Sequence, residues 1–280
     1  MISNRLPARM RALAMELKVL RAQSGLNTQK AAARIGTSTA TLNRTEKAKR
    51  ISHITDVAAL LAVYGVTGPK RTWLLELAEN LNAREWLETG DRLPHLLPAL
   101  AGFEAEADVL VNFAHSIVPG LLQTPAYARA LHASEDITGT DQEAMVAARL
   151  ERQKVLMSPN GPKYVAILDE AVLRRPYGGS EVMAQQIHWL IGRARMPNLN
   201  ILVIPFRHGG YPNPGMFSLF EFRSTPPIVY VETEAVSGFL DAPEEIKKFQ
   251  GRAAKLVKVA LGSADTVNFL TRMAADYERS

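Results

Sequence analysis

Apolar residues return every three or four positions through the first eighty residues, the period of helices buried along one side. Leu13, Leu17 and Leu20 mark such a face on a helix expected over residues 8–24, and Gly25 stops it. Ala31, Ala32 and Ile35 give a second, shorter inward face. Asn27 stands ahead of it, where a side-chain oxygen can accept from the free N–H groups of a first turn. Gly36 lets the chain turn with positive φ at no Cβ cost. Ser38 then caps a third helix that runs to about Ala48. Val57, Leu60, Leu61 and Tyr64 mark a fourth helix that Gly65 ends, and Pro69 opens a fifth containing Trp73, Leu74, Leu77 and Leu81.

The pattern changes further along. Residues 85–102 hold two prolines and two glycines and read as a connector, although Trp86, Leu93, Leu96 and Leu97 are too apolar for a free linker. Residues 103–115 and 125–132 read as helices. Residues 140–143 form a capping-box sequence ahead of a helix ending near Met157. Strand-like runs follow at 164–168, 201–205, 217–222 and 228–232, with an amphipathic helix at 180–196 between the first two. Asp241 is expected to cap a helix with Pro243 in its first turn, and Ser263 to cap the last. The 118–124 stretch reads as a fold-defining turn, with Gln123 and Thr124 capping the helix after it. The fold class is therefore multidomain: an all-α head over 1–84, a connector over 85–102 and an α+β body over 103–280.

Charge separates the same two parts. Residues 1–84 carry 14 Lys+Arg against 5 Asp+Glu, a net of +9, and the remainder 19 against 23, a net of −4. A basic head raises its affinity for phosphate whatever the base sequence. With two short helices and a tight turn over 26–50, this is the layout of a helix-turn-helix, and it makes double-stranded DNA the expected partner. The chain has no cysteine, which removes disulfides, thiolate nucleophiles and cysteine-bound zinc and is compatible with a cytoplasmic protein. No apolar run is long enough for a membrane span, and the opening residues are too polar for a secretory signal. The six histidines never fall at metal-ligand spacing, and no phosphate-binding loop or nucleophile elbow is present. Neither a metal, a cofactor nor an enzymatic activity is expected.

Residues 17–50 resemble the Xre/phage-repressor class of helix-turn-helix proteins, through Arg21, Gly25, Leu26, Ala32, Gly36, Ser38, Thr41, Leu42, Arg44 and Glu46. The second half carries Phe103-Glu104-Ala105-Glu106-Ala107, then Val118-Pro119-Gly120-Leu121-Leu122-Gln123-Thr124 with Tyr127-Ala128. It continues with Leu168-Asp169-Glu170-Ala171, Arg174-Arg175-Pro176, Gly178-Gly179 and Val203-Ile204-Pro205-Phe206. Together these are similar to actinobacterial regulators that join such a head to a large, antitoxin-like C-terminal domain. The resemblance implies a homodimer on a two-fold-related operator, controlled by a small neighbour-encoded partner protein or a ligand. The head departs from the class at four places: Thr28 where a glutamine commonly reaches DNA, Ala31 for a core leucine, Thr45 for a large apolar residue, and Ala48 for a glycine. The Ala31 and Thr45 changes each remove buried volume, a loss of roughly 1–3 kcal/mol if nothing compensates.

A recognition helix presents short polar groups to base edges from its N-terminal half. Thr39, Ala40, Asn43 and Arg44 are the candidate base contacts: arginine reads guanine through two parallel hydrogen bonds, and threonine meets a thymine methyl. Thr28, Lys47, Lys49 and Arg50 are candidate phosphate contacts, which position the head without reading sequence. Glu46 would be repelled by phosphate, so it is expected to turn inward, and the resemblance supplies Arg21 as its ion-pair partner. In the body, Asp169, Glu170, Arg174 and Arg175 follow a strand and form a candidate effector pocket, with capping and salt bridges as the competing reading. The 208–211 turn is read as a plain loop or a lid. Two alternative functions stay open: a protein-interaction module whose head holds DNA non-specifically, and an enzyme-like nucleotide-binding body using Asp169, Arg174 or Glu232.

Overall fold

The structure, a computed structural model, describes residues 6–83, 85–90, 95–233 and 235–280. In chain order the α-helices are α1 (Ala8–Gln23), α2 (Thr28–Arg34), α3 (Thr39–Glu46), α4 (Ile54–Val63), α5 (Gly68–Glu79), α6 (Leu96–Glu106), α7 (Pro125–Ala133), α8 (Gly139–Gln153), α9 (Glu170–Arg174), α10 (Gly179–Arg193), α11 (Pro243–Val259) and α12 (Ser263–Glu278). The strands are β1 (Glu85–Thr89), β2 (Val109–Ala114), β3 (Lys163–Asp169), β4 (Leu199–Ile204), β5 (Phe217–Glu221), β6 (Ile228–Glu232) and β7 (Val236–Leu240). A helical N-terminal region thus precedes an α+β C-terminal domain. By compactness the chain divides into one unit of Met1–Phe103 with Ser224–Glu245, and a second of Glu104–Arg223 with Ile246–Ser280.

In the first unit, Leu13, Leu17, Leu20, Leu42, Leu60, Leu61 and Leu74 close one core between α1 and α5. Each of the first four helices ends in the same reverse turn. The amide after the left-handed residue reaches back five positions: Leu26 to Arg21, Thr37 to Ala32, Lys49 to Arg44 and Val66 to Leu61. This double-bonded ending needs a positive φ at its pivot. Gly25, Gly36 and Gly65 supply it, but after α3 the pivot is Ala48, at φ 51°. Alanine there costs about 1–2 kcal/mol of backbone strain, part of which a glycine gives back as unfolded-chain entropy. Ala48→Gly is therefore expected to stabilise the head by roughly 0.5–1 kcal/mol, measured by thermal unfolding. Ala31 is 0% exposed and Thr45 5%, so the small side chains expected to loosen the motif are enclosed. The Ser52 hydroxyl approaches that of Thr45 at 3.5 Å.

Residues 85–102, expected as a connector, contain β1 and the start of α6. β1 alternates exposed and buried positions, with Trp86 inward. β1 pairs antiparallel with β7, and β7 with β6. The Trp86 ring lies 5.0 Å from that of Phe239, which also meets Phe103 and Tyr230. Gly238 is obligatory at this register, because a Cβ there would stand 2.0 Å from the Trp86 carbonyl oxygen. Asp241 gives one carboxylate oxygen to the Ala8 N–H at 2.7 Å, so it serves the first turn of α1.

In the second unit the hydrogen-bonded order is β5-β2-β3-β4. β2, β3 and β4 are parallel and β5 runs antiparallel to β2. The helix expected over 103–115 is corrected here: α6 stops at Glu106 and β2 begins at Val109. A short, largely apolar run such as β2 cannot be told from a buried helix by periodicity. Two expected caps are also corrected. α8 begins at Gly139 without a side-chain cap, and Glu143 pairs instead with Arg129 at 2.6 Å. Ser263 is the first residue of α12, with Gly262 at the cap position, and its hydroxyl donates to Asn200 Oδ1.

The 118–124 turn is held by buried amides. Thr124 Oγ1 accepts from Tyr127 N and so caps α7, whereas Gln123 donates to the Val118 carbonyl at 2.7 Å and closes the turn itself. Gln186, fully enclosed, accepts from Thr124 N and donates to Leu122 O. Nearby His132 is 2% exposed, and neither ring nitrogen has a hydrogen-bond partner among the described residues. Burial and the Arg149 guanidinium hold its pKa below the ordinary histidine value, outweighing Glu135. Folded His132 is thus neutral where the unfolded residue begins to protonate, near pH 6.5. The stability it contributes is complete above that pH and is lost as pH falls from there to the lowered folded value. Urea unfolding at pH 7.5 and 5.5 is expected to show a smaller difference in His132→Leu than in the wild type.

Candidate nucleic-acid interface

The two helices of the motif are set by their caps. Asn27 Oδ1 accepts from Lys30 N at 2.8 Å and Ser38 Oγ from Thr41 N at 3.0 Å. Between them Gly36, at φ +70°, turns the chain, with the Thr37 N–H bonded to Ala32 O. Leu42, Thr45 and Glu46 form the buried side of α3. The four candidate base contacts, Thr39, Ala40, Asn43 and Arg44, are all exposed, and their spacing places them on one face of the helix. Lys47 continues that face, and Lys49 is exposed just past the helix end.

The remaining phosphate candidates stand differently. Thr28 is half-buried at the start of α2. Arg50 donates to Asp56 at 3.0 Å, so its charge is partly used within the head. Two further cations, Lys30 and Arg34, are exposed on α2. The signal for them was present: once Ala31, Ala32 and Ile35 face inward, positions 30 and 34 must face outward.

Glu46 is turned inward. Arg21 in α1 donates to its two oxygens through Nε at 2.6 Å and Nη2 at 3.0 Å, and through Nη1 to the Leu26 carbonyl at 2.9 Å. The Glu46 side chain is 5% exposed and that of Arg21 15%. The hydrogen bond to Glu46 raises the Arg21 pKa despite its partial burial. This fork fastens α3 to α1 and keeps a carboxylate off the exposed face.

In the second unit the carboxylates of the candidate effector pocket are committed to the fold. Asp169 Oδ1 accepts from Ala171 N and caps α9, and Oδ2 accepts the Tyr211 hydroxyl. Burial, with Asp169 alongside, raises the Tyr211 pKa. Glu170 Oε1 accepts twice from Arg174, at 2.9 and 2.8 Å, and Oε2 accepts from Phe206 N at 2.8 Å. Asp169, Glu170 and Arg174 are thus brought together, and they brace the end of β3 against the 206–211 segment. Arg175 is exposed, and its side chain makes no hydrogen bond or ion pair among the described residues.

Residues 12–74 match a helix-turn-helix domain, and residues 97–272 match a domain of unknown function, DUF5753. The chain belongs to the DUF5753 family. In this DUF5753 protein the helix-turn-helix match begins within α1 and ends within α5, enclosing both capped helices and the Arg21–Glu46 fork. The DUF5753 match runs from α6 into α12. No curated protein and no solved structure matches the chain. The helix-turn-helix match suggests a DNA-binding regulator. Among the described residues, no helix is long and apolar enough to cross a membrane, and no group of three His, Asp or Glu side chains could hold a metal ion.

Proposed function

We propose that this protein is a sequence-specific, dimeric transcriptional regulator. It reads a two-fold-related operator through α3 and is controlled through its C-terminal domain by a small partner protein or a ligand. The observation that carries the reading is the outer face of α3. Four groups able to meet base edges lie there together, flanked by Lys47 and Lys49, while the carboxylate of the same helix is withdrawn into the ion pair with Arg21. Thr39, Asn43 and Arg44 would read bases and Ala40 would meet a thymine methyl. Thr28, Lys47, Lys49 and, after partial release from Asp56, Arg50 would hold phosphates.

Control in this reading is positional. Two heads must sit about 34–36 Å apart to enter successive major grooves on one side of the duplex. A partner or ligand that prefers one spacing shifts DNA occupancy by its differential affinity. The closed hydrogen bonding around Asp169 and Glu170 counts against a ligand pocket at that cluster.

Sedimentation of the full chain with a 40-base-pair random duplex tests dimerisation and DNA binding. The expected species is two chains per duplex, dissociating as salt rises. A monomer that leaves duplex DNA free at 50 mM salt would overturn the reading.

A further inference from the structure

The only carboxylates on α11, Glu244 and Glu245, stand in its first turn; the rest of its charge is positive. Lys247, Lys248, Arg252, Lys255 and Lys258 are all exposed. At 100° per residue they fall within about 140° of arc, opposite the buried Ile246, Ala253 and Leu256. Glu244 lies at the N-terminal end of the same arc. Lys247, Arg252, Lys255 and Lys258 make no ion pair among the described residues, although the sequence beyond residue 84 is net acidic.

Two features separate this face from an ordinary solvated one. Gly251 sits among the cations in mid-helix, where glycine weakens a helix relative to alanine. Neither packing nor backbone explains it: an added Cβ would meet nothing within 4 Å, and its φ is not positive. With the exposed Ala254 it leaves the helix surface low between long basic side chains, so an extended polyanion can approach closely. The arc also lacks an exposed aromatic or large aliphatic side chain. Protein interfaces are anchored by such groups and depleted of lysine, whereas nucleic-acid interfaces are dominated by cations on phosphate.

We infer that the outer face of α11 is a second nucleic-acid surface, one that holds the phosphate backbone of duplex DNA without reading its sequence. The inference rests on the DNA-binding reading above and adds a contact outside the helix-turn-helix. Such a surface lengthens the footprint and strengthens binding at any sequence, while leaving site preference to α3.

The test is the salt dependence of binding to a 60-base-pair random duplex by the full chain. One variant carries Lys247→Gln, Arg252→Gln, Lys255→Gln and Lys258→Gln, and a milder one carries only Lys255→Gln and Lys258→Gln. Each lost phosphate contact removes about 0.9 from the slope of log K against log salt. Per bound chain, the slope is expected to fall by about 3–4 in the fourfold variant and about 2 in the double one. Arg44→Ala, by contrast, should keep the α11 share of the slope. Wild-type slopes in both variants would overturn the inference and leave α11 to solvent or to an acidic protein. Absence of salt-dependent binding by the wild type would overturn the DNA reading itself, and this inference with it.

Discussion

Glu46→Ala is expected to lower the stability of the head by about 2–3 kcal/mol, even though it removes a negative charge from a basic domain. The carboxylate is nearly enclosed and receives two guanidinium hydrogen bonds, so its loss leaves the mostly buried Arg21 with the Leu26 carbonyl but no counter-charge. Arg21 is itself partly exposed, and water recovers some of the loss; the figure therefore sits below that for a fully buried pair. Thermal unfolding should shift down by about 4–10 °C. The effect on DNA separates two roles. An exposed carboxylate near phosphate would, on removal, strengthen binding. A carboxylate that fastens α3 to α1 would, on removal, weaken it, and weaker binding is expected. Glu46→Gln keeps the shape and one acceptor and should lose about half as much stability. A change under 0.5 kcal/mol in Glu46→Ala would show that packing alone positions α3.

Arg44→Ala carries the largest expected effect on recognition. A bidentate arginine–guanine pair is worth about 1–3 kcal/mol of discrimination, so affinity for the preferred site should fall roughly 5- to 150-fold. Affinity for random duplex should fall far less, since only one cation among many is lost. Arg44→Lys sharpens the test, because lysine keeps the charge but lacks the planar fork. It should hold random duplex like the wild type and still lose most of the site preference. Equal losses on preferred and random DNA would place Arg44 on a phosphate.

The head was readable from sequence because its rules are local. Leu13, Leu17 and Leu20 repeat at helical spacing, Asn27 and Ser38 make the caps expected of them, and Gly25, Gly36 and Gly65 end helices. The body was less legible where structure depends on distant partners. β2 reads as apolar helix until β3 and β5 are seen on either side of it. β1 hides in a segment rich in proline and glycine, and its inward Trp86 finds a partner only at Phe239. Asp241 lies next to a helix it was expected to cap, and nothing near it in sequence announces the Ala8 N–H. The same limit applies to Asp169 and Glu170: a pair of carboxylates after a strand suits a site or a brace, and only the positions of Tyr211 and Phe206 show the bracing bonds. The exposed face of α3, in contrast, followed from periodicity once its inward residues were known.

The central claim is that α3 reads base sequence. Selection from random duplex DNA by the full chain, run in parallel with Arg44→Ala, tests it most directly. The wild type should enrich a two-fold-related motif that the variant fails to recover. Salt-dependent binding with no enriched motif in the wild type would contradict the claim, and would leave the head as a holder of phosphates alone.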